Sequence, residues 1–475
     1  MKRILIVGGG ISGLAAAQRL SELSTDNSLQ ITLVEASSRL GGTLRTDERD
    51  GFLLERGPDS FISEKPQALE LAKRLGLSSQ LIETNPKFRR SFLVRDGRLR
   101  PVPEGFQLLA PTRMWPFVTT DIFSLAGKVR MAGDLFLPRR SANGNDDESL
   151  ANFVRRRLGN EALNRMAQPM VGGIYTADPE KLSLRATLPR FLDMERAERS
   201  IILAMWRKAR QTRKERGPTS GVSGARYSLF MSFDRGMQTL VDKLAEQLKS
   251  RGVMTLLDCR VTRIGHSGRW QVETKAERIE ADAICLAIPS YVAGPIVSQV
   301  DPELSLLLNQ IQYSSTATIN LAYRRSQVGH PLDGFGFVVP YIEGRSLIAC
   351  SFSSVKFTQR APDDSILLRA FVGGALQPEM LDLSDDDIVE RVKSDLNQLL
   401  SINGDPLFAE VSRWDRSMPQ YLVGHLDLID TIEARLAKLP RIKLIGNAFR
   451  GAGIPDCIKS GETAAAQLIE MLTNQ

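Results

Sequence analysis

A chain of 475 residues is too long for one hydrophobic core and predicts two or three interleaved domains. Its 42% apolar and 25% charged content excludes a disordered or low-complexity chain. The net charge of +7 suits an anionic ligand or a headgroup surface and does not point to nucleic acid. Met1-Lys2-Arg3 followed by Ile4-Leu5-Ile6-Val7 has the outline of a signal peptide, yet the apolar run stops after these few residues with no small-residue cleavage site. It is expected to be the first strand, buried and parallel.

That strand breaks into Gly8-Gly9-Gly10-Ile11-Ser12-Gly13, a G-x-G-x-x-G turn, and Leu14 to Leu23 continue at helical period. Gly8 permits the bend, Gly10 lets backbone approach a pyrophosphate, and Gly13 lets helix and strand pack closely. A second strand, Ile31 to Val34, ends in Glu35, the acid expected to accept a ribose hydroxyl and to disfavour a 2′-phosphate. The pattern therefore predicts a dinucleotide other than NADP. Ala36 and Arg39 through Gly41-Gly42 supply a second glycine pair and an arginine that is a further clamp on the pyrophosphate or a solvated surface group.

Gly51 to Phe61 run as a short strand into the Gly57-Pro58 turn, either a plain β-turn or a place where backbone meets a flat ligand. Glu70 to Leu75 are helical, and Phe92 to Leu99 form a hairpin on Asp96-Gly97. Residues 105 to 138 crowd Phe106, Trp115, Phe117, Phe123 and Phe136 among basic residues, which fits a membrane-facing helix pair or an amphipathic helix on its own core. Ser141 to Glu148 read as a polar loop. Residues 149 to 210 are helical, interrupted at Val171 to Asp178. The basic stretch Arg196 to Arg226 is expected to be a mobile, solvated segment without the aromatic interleaving of a nucleic-acid site.

From Gly236 an α/β pattern resumes with a helix at Met237 to Lys249, strands at Val261 to Ile264 and Trp270 to Glu273, and a buried strand at Ala283 to Ile288. Strand-like runs between 315 and 374 predict the floor of a second domain, followed by a helix over 384 to 400. At the end, Leu444-Ile445-Gly446 close a strand and Gly451-Ala452-Gly453-Ile454-Pro455-Asp456 open a helix to about Met471. Proline belongs in a first helical turn, and glycines before it leave backbone donors free at a positive helix end. This second anion site suits the N1–C2=O edge of a reduced flavin. Cys259, Cys285, Cys350 and Cys457 are far apart, and His266, His330 and His425 complete no ligand spacing, so core cysteines in a reducing cytoplasm are expected and no metal.

Together these motifs resemble the flavin-dependent porphyrinogen oxidases of haem biosynthesis, within the amine-oxidase-like flavoprotein superfamily. The family-specific weight lies in Glu55 to Ser60, Gly173-Ile174-Tyr175, Lys181-Leu182-Ser183, Arg413-Trp414, Met418 to Tyr421, and Gly453 to Ile458. The resemblance implies an α/β fold: a Rossmann-like FAD domain of the p-hydroxybenzoate-hydroxylase type, a mixed-sheet substrate domain and an inserted helical domain. The expected division is 1–90, 226–290 and 416–475 for FAD, 91–225 for substrate-domain strands and the helical insert, and 291–415 for substrate. It implies six-electron aromatisation of a porphyrinogen, with molecular oxygen reoxidising FAD to give hydrogen peroxide. With FAD carrying the redox chemistry, no catalytic side chain is needed.

By resemblance and motif, the FAD contacts are Gly8, Gly9, Gly10, Ile11, Ser12, Gly13, Glu35, Ala36, Arg39, Gly42, Gly57, Pro58, Asp59, Ser60, Val261, Trp414, Ala452, Gly453 and Ile454. Substrate contacts are Gly173, Tyr175, Phe335, Val338 and Phe371, with Gly173 offering its carbonyl to pyrrole N–H groups. Relatives that oxidise protoporphyrinogen IX usually carry an arginine where this chain has Ser91, after Arg89 and Arg90. Coproporphyrinogen III is therefore the expected substrate, and protoporphyrinogen IX the alternative. More distant alternatives are an amine oxidase, a carotenoid desaturase, or a flavin-free lipid carrier of the GDP-dissociation-inhibitor type. Monomer and homodimer both stay open, as does peripheral membrane contact.

Overall fold

The computed structural model describes residues 1–24, 28–140, 147–216 and 230–473. A five-stranded parallel sheet runs in the order Met254–Leu256, Leu29–Val34, Lys2–Val7, Ala283–Leu286, Ile442–Leu444. At its centre Ile4 to Val7 and Ala283 to Leu286 are apolar and buried because both faces are covered. One face carries the helices Ile11–Leu23, Gln238–Ser250 and Ile454–Thr473 over a core that includes Leu14, Leu20, Leu244 and Leu468. The other is closed by the antiparallel strands Val261–Ser267, Arg269–Thr274 and Arg278–Ala281 and by helices from 290 to 309 and at His425–Leu436.

First and last helices pack tightly. A Cβ on Gly461 would stand 2.4 Å from the Ser12 carbonyl oxygen and 3.0 Å from the Ala16 nitrogen, so glycine is what brings the C-terminal helix onto the first.

The second sheet has seven strands, ordered Phe408–Pro419, Tyr313–Arg324, Ser365–Gly373, Ala349–Phe352, Gly336–Val338, Phe92–Arg95, Arg98–Pro101. The last two are the predicted Asp96-Gly97 hairpin. Alternation sorts the sheet's faces. Ile319, Leu321, Leu368, Ala370, Val372, Cys350 and Phe337 point into a core shared with the helix Asp385–Leu400. Thr318, Phe371, Ala349 and Val338 stand in cross-strand register on the opposite face.

A helical insert between residues 114 and 216 has its own core, with Phe117, Phe123, Phe153 and Phe191 inside. At its centre the fully buried Arg157 donates from Nε to Asp134 at 2.6 Å and from Nη2 to the Arg199 carbonyl at 2.7 Å. Arg196 to Arg226 corrects one expectation: Ile201–Arg216 is a helix, because Ile201, Ile202 and Met205 bury against the insert core and order the basic residues that follow. The remainder, from Gly217, and the expected polar loop over 141–146 lie outside the described residues. The interruption expected at Val171 is likewise shorter: Gln168–Tyr175 is one helix through both glycines, ending at Thr176 with φ +48°. Among the described residues, no helix is long and apolar enough to cross a membrane.

Candidate active site

The glycine turn is shaped by close backbone approach. Gly8 has φ +108° and its Cβ would fall 2.4 Å from the Ala287 carbonyl oxygen; a Cβ on Gly13 would fall 1.9 Å from the Gly8 carbonyl oxygen. Gly10 differs: among the described residues nothing lies within 4 Å of where its Cβ would be. It caps the helix Ile11–Leu23 with no side-chain hydrogen bond and no acid in the first turn. The first-turn N–H groups therefore face open space at a positive helix end, which fits a pyrophosphate. Glu35 braces the turn: one carboxylate oxygen accepts the Gly9 N–H at 2.7 Å, the other the Ser37 N–H and hydroxyl at 2.8 Å.

Gly41 N–H donates to the Gly9 carbonyl at 2.8 Å, and Gly42 brings its backbone against Gly10. Arg39 turns its guanidinium back onto its own loop, donating to the carbonyls of Leu40, Gly42 and Leu44 at 3.1, 3.0 and 2.7 Å. Its observed work is to hold the loop that faces the turn. Val261 begins its strand just past Cys259, whose N–H donates to the Glu35 carbonyl, so Glu35, Ala36 and Val261 are neighbours.

A second constellation gathers at Glu55 to Ser60. Gly57 is buried, and a Cβ there would strike the Thr43 carbonyl oxygen at 1.7 Å. The preceding Arg56 carbonyl accepts the Trp414 indole N–H and the Thr318 hydroxyl, both at 2.9 Å; the Gly57 carbonyl accepts the Arg369 guanidinium. Pro58 is exposed. Asp59 is gripped by Lys356 at 2.8 and 2.9 Å and by the Ser60 hydroxyl at 2.7 Å. Burial pushes the Asp59 carboxyl up, but Lys356 and Arg369 outweigh it and hold it well below the usual carboxylate range. Glu55, buried behind the loop, is instead raised to about 7 by burial, against the opposing N–H of Met237 and hydroxyl of Thr46.

The C-terminal turn opens the helix that packs on the first one. Ala452 is half-buried and Gly453 exposed, while Ile454 and Pro455 are buried at the helix start. A Cβ on Gly451 (φ +152°) would collide with Asp456, whose carboxylate pairs with Lys65 at 2.6 Å. The sheet face bearing Phe371 and Val338 adjoins the Glu55 to Ser60 loop through Arg369, which bonds the Gly57 carbonyl. Phe371 is half-buried with Arg369 4.8 Å over its ring, and Gly173 lies against Val338: a Cβ on the glycine would be 3.7 Å from the valine Cγ1. At that helix end the Gly172 carbonyl accepts the Thr176 N–H and the Tyr175 carbonyl the Gln420 amide. The Gly173 carbonyl meets no donor among the described residues. Tyr175 is half-buried, its hydroxyl 3.3 Å from the Thr187 carbonyl. Phe335 is buried just before the strand Gly336–Val338 and stands outside the row. Ser91 is buried, with a hydroxyl that has no partner among the described residues, and Arg89 and Arg90 pair with Glu83 and Asp333.

Arg369, Lys356 and Thr318 belong to this site, though no motif in the sequence marks them. One signal was available: Arg369 interrupts the apolar run Ile366 to Val372 two places from Phe371, hence on its face. Among the described residues no cluster of His, Cys, Asp and Glu could hold a metal. Cys285, Cys350 and Cys457 are buried, and burial pushes their thiols up.

An uncapped glycine turn, an acid closing the second strand and a second glycine turn at the chain's end define a dinucleotide-binding flavoprotein oxidoreductase. The comparisons agree, since the profile of the family described as flavin containing amine oxidoreductase matches residues 11–469. The chain belongs to that family, and its cofactor is FAD. It is 38% identical to the coproporphyrinogen III oxidase of Bacillus subtilis (strain 168), over 99% of this chain and 98% of that one. It is 30% identical to the chloroplastic protoporphyrinogen oxidase 1 of Arabidopsis thaliana, over 98% of this chain and 87% of the other. A crystal structure from Exiguobacterium sp. 255-15 superposes with a TM-score of 0.85 at 33% identity, covering 99% of both chains.

Proposed function

We propose that the chain oxidises coproporphyrinogen III to coproporphyrin III with oxygen as acceptor and hydrogen peroxide as by-product. One observation carries the reading: an unpaired Gly173 carbonyl at the end of a helix lies beside Val338, on the apolar row that also holds Phe371. A porphyrinogen is a broad apolar ring with inward N–H donors. The row excludes water from its faces, and the Gly173 carbonyl, at the negative helix end, accepts from its centre. FAD, when bound, supplies the hydride-accepting chemistry. Arg369 and Trp414 hold the Gly57 and Arg56 carbonyls, which sets the loop against the cofactor's place.

Ser91 supports coproporphyrinogen III by resemblance, since relatives that oxidise protoporphyrinogen IX usually carry at that position an arginine that pairs with one of its propionates. The identity to the bacterial coproporphyrinogen enzyme points the same way. Both porphyrinogens, prepared without oxygen and presented to the air-equilibrated enzyme, decide the matter by kcat/KM. A higher value for protoporphyrinogen IX reverses the substrate, and oxidation of a polyamine with neither porphyrinogen consumed replaces the reading altogether. Peripheral membrane contact is part of the proposal, supported by the exposed Trp115, Leu125 and Phe136 on the helical insert.

A further inference from the structure

We propose that Gln420 and Tyr421 couple the seating of FAD to the seating of the porphyrin, acting as positioning residues between the two. The inference rests on the substrate reading above.

Both residues are buried, at 6% and 2% exposure, in a segment where three parts of the chain meet. The Tyr421 hydroxyl donates to the Asn447 carbonyl at 2.6 Å and accepts the Gly451 N–H at 2.9 Å, so it clasps both ends of the turn leading into Ala452 and Gly453. Its ring stacks on His425, centroids 4.2 Å apart and 14° between planes, and His425 Nε2 lies 2.8 Å from the Phe449 carbonyl in the same turn. The Tyr421 carbonyl accepts the Ser183 N–H at 2.8 Å, which ties the segment to the helical insert.

Gln420 faces the substrate side. Its amide nitrogen lies 3.2 Å from the Tyr175 carbonyl, 2.9 Å from the Ser314 hydroxyl and 3.1 Å from the Met418 carbonyl, and Ser314 in turn meets the Thr176 hydroxyl at 2.9 Å. One amide has two protons for these three acceptors. Its bonding is therefore shared, and a shift of the helix end carrying Gly173 redistributes it. Adjacent residues of one segment thus hold the flavin turn and the substrate helix end. A ligand that fixes either end lowers the ordering cost of the other, and thermodynamic linkage makes the effect mutual.

The test uses holoenzyme and the rate of FAD release, read as recovered flavin fluorescence on dilution, with and without saturating coproporphyrin III, which does not turn over. In the wild type the porphyrin slows release about tenfold. Gln420→Met keeps the side-chain length and loses the amide; it leaves the porphyrin-free rate within about twofold but cuts the slowing by about threefold or more. Tyr421→Phe, a near-isosteric change, speeds release about fivefold even without porphyrin and weakens the slowing as well. A Gln420→Met enzyme that binds porphyrin and shows the full wild-type slowing overturns the coupling while leaving the substrate reading intact. A wild-type holoenzyme that does not bind the porphyrin removes the substrate reading, and the coupling with it.

Discussion

At Gly10 space and charge make opposite demands. Its φ of −70° suits any residue and, among the described residues, no atom stands within 4 Å of a Cβ, whereas Gly8 and Gly13 have carbonyls in the way. Gly10→Asp is therefore expected to fold, since an aspartate even favours a helix N-cap, yet to repel the pyrophosphate and emerge colourless. Flavin absorbance and a melting curve check both halves; a stable yellow Gly10→Asp protein contradicts the assignment. Gly13→Ala, by contrast, should fail to accumulate as folded protein. Glu55 makes a prediction about pH. Its folded value near 7 lies above the ordinary 4.5, so the stability it contributes is whole below about 4.5 and is lost as pH rises through about 7. Arg360 opposes this shift and Asp59 adds to it. Glu55→Gln removes the titration, and between pH 4.5 and 8 the mutant should gain on the wild type by on the order of 3 kcal/mol in urea unfolding. Parallel pH profiles for the two proteins would discount Glu55.

Elements were legible where the backbone itself imposes the residue. Strand, glycine turn, helix and closing acid follow one another locally, and so does Gly-x-Gly-x-Pro before the last helix. The charged group around Asp59 was not legible, because Lys356 and Arg369 reach it only through the register of strands some 300 residues away. Phe335 shows the same limit: its run reads as a strand, but which face it lines depends on where the strand starts. The helix Ile201–Arg216 is hard to see in the sequence because its basic charge outweighs the short apolar start that anchors it. Packing between elements is tested at Gly461. Leucine there collides with the backbone of the first helix at 2.4 Å and should cost about 3 kcal/mol while displacing the flavin turn, so lowered melting and lowered FAD occupancy arrive together. Lowered melting with full FAD occupancy would uncouple that contact from the cradle.

For the molecule as a whole, Trp115, Leu125, Val129 and Phe136 are between 67% and 81% exposed on the insert, near Lys128, Arg139 and Arg140. Apolar residues with a basic rim suit an anionic bilayer surface. Cosedimentation with vesicles containing phosphatidylglycerol should fall about tenfold in a Trp115→Ser/Phe136→Ser double variant, with kcat for soluble substrate unchanged; equal sedimentation would assign the patch elsewhere.

The strand Ile442–Leu444 completes the parallel sheet, and the helix from Ile454 covers it. Translation delivers these pieces long after the glycine turn. A nascent chain carries its glycine turn for more than 400 residues before the opposing wall leaves the ribosome. Flavin capture therefore waits for these elements in the protein's biogenesis, and a chain cut before Ile442 is one that no supply of riboflavin can rescue.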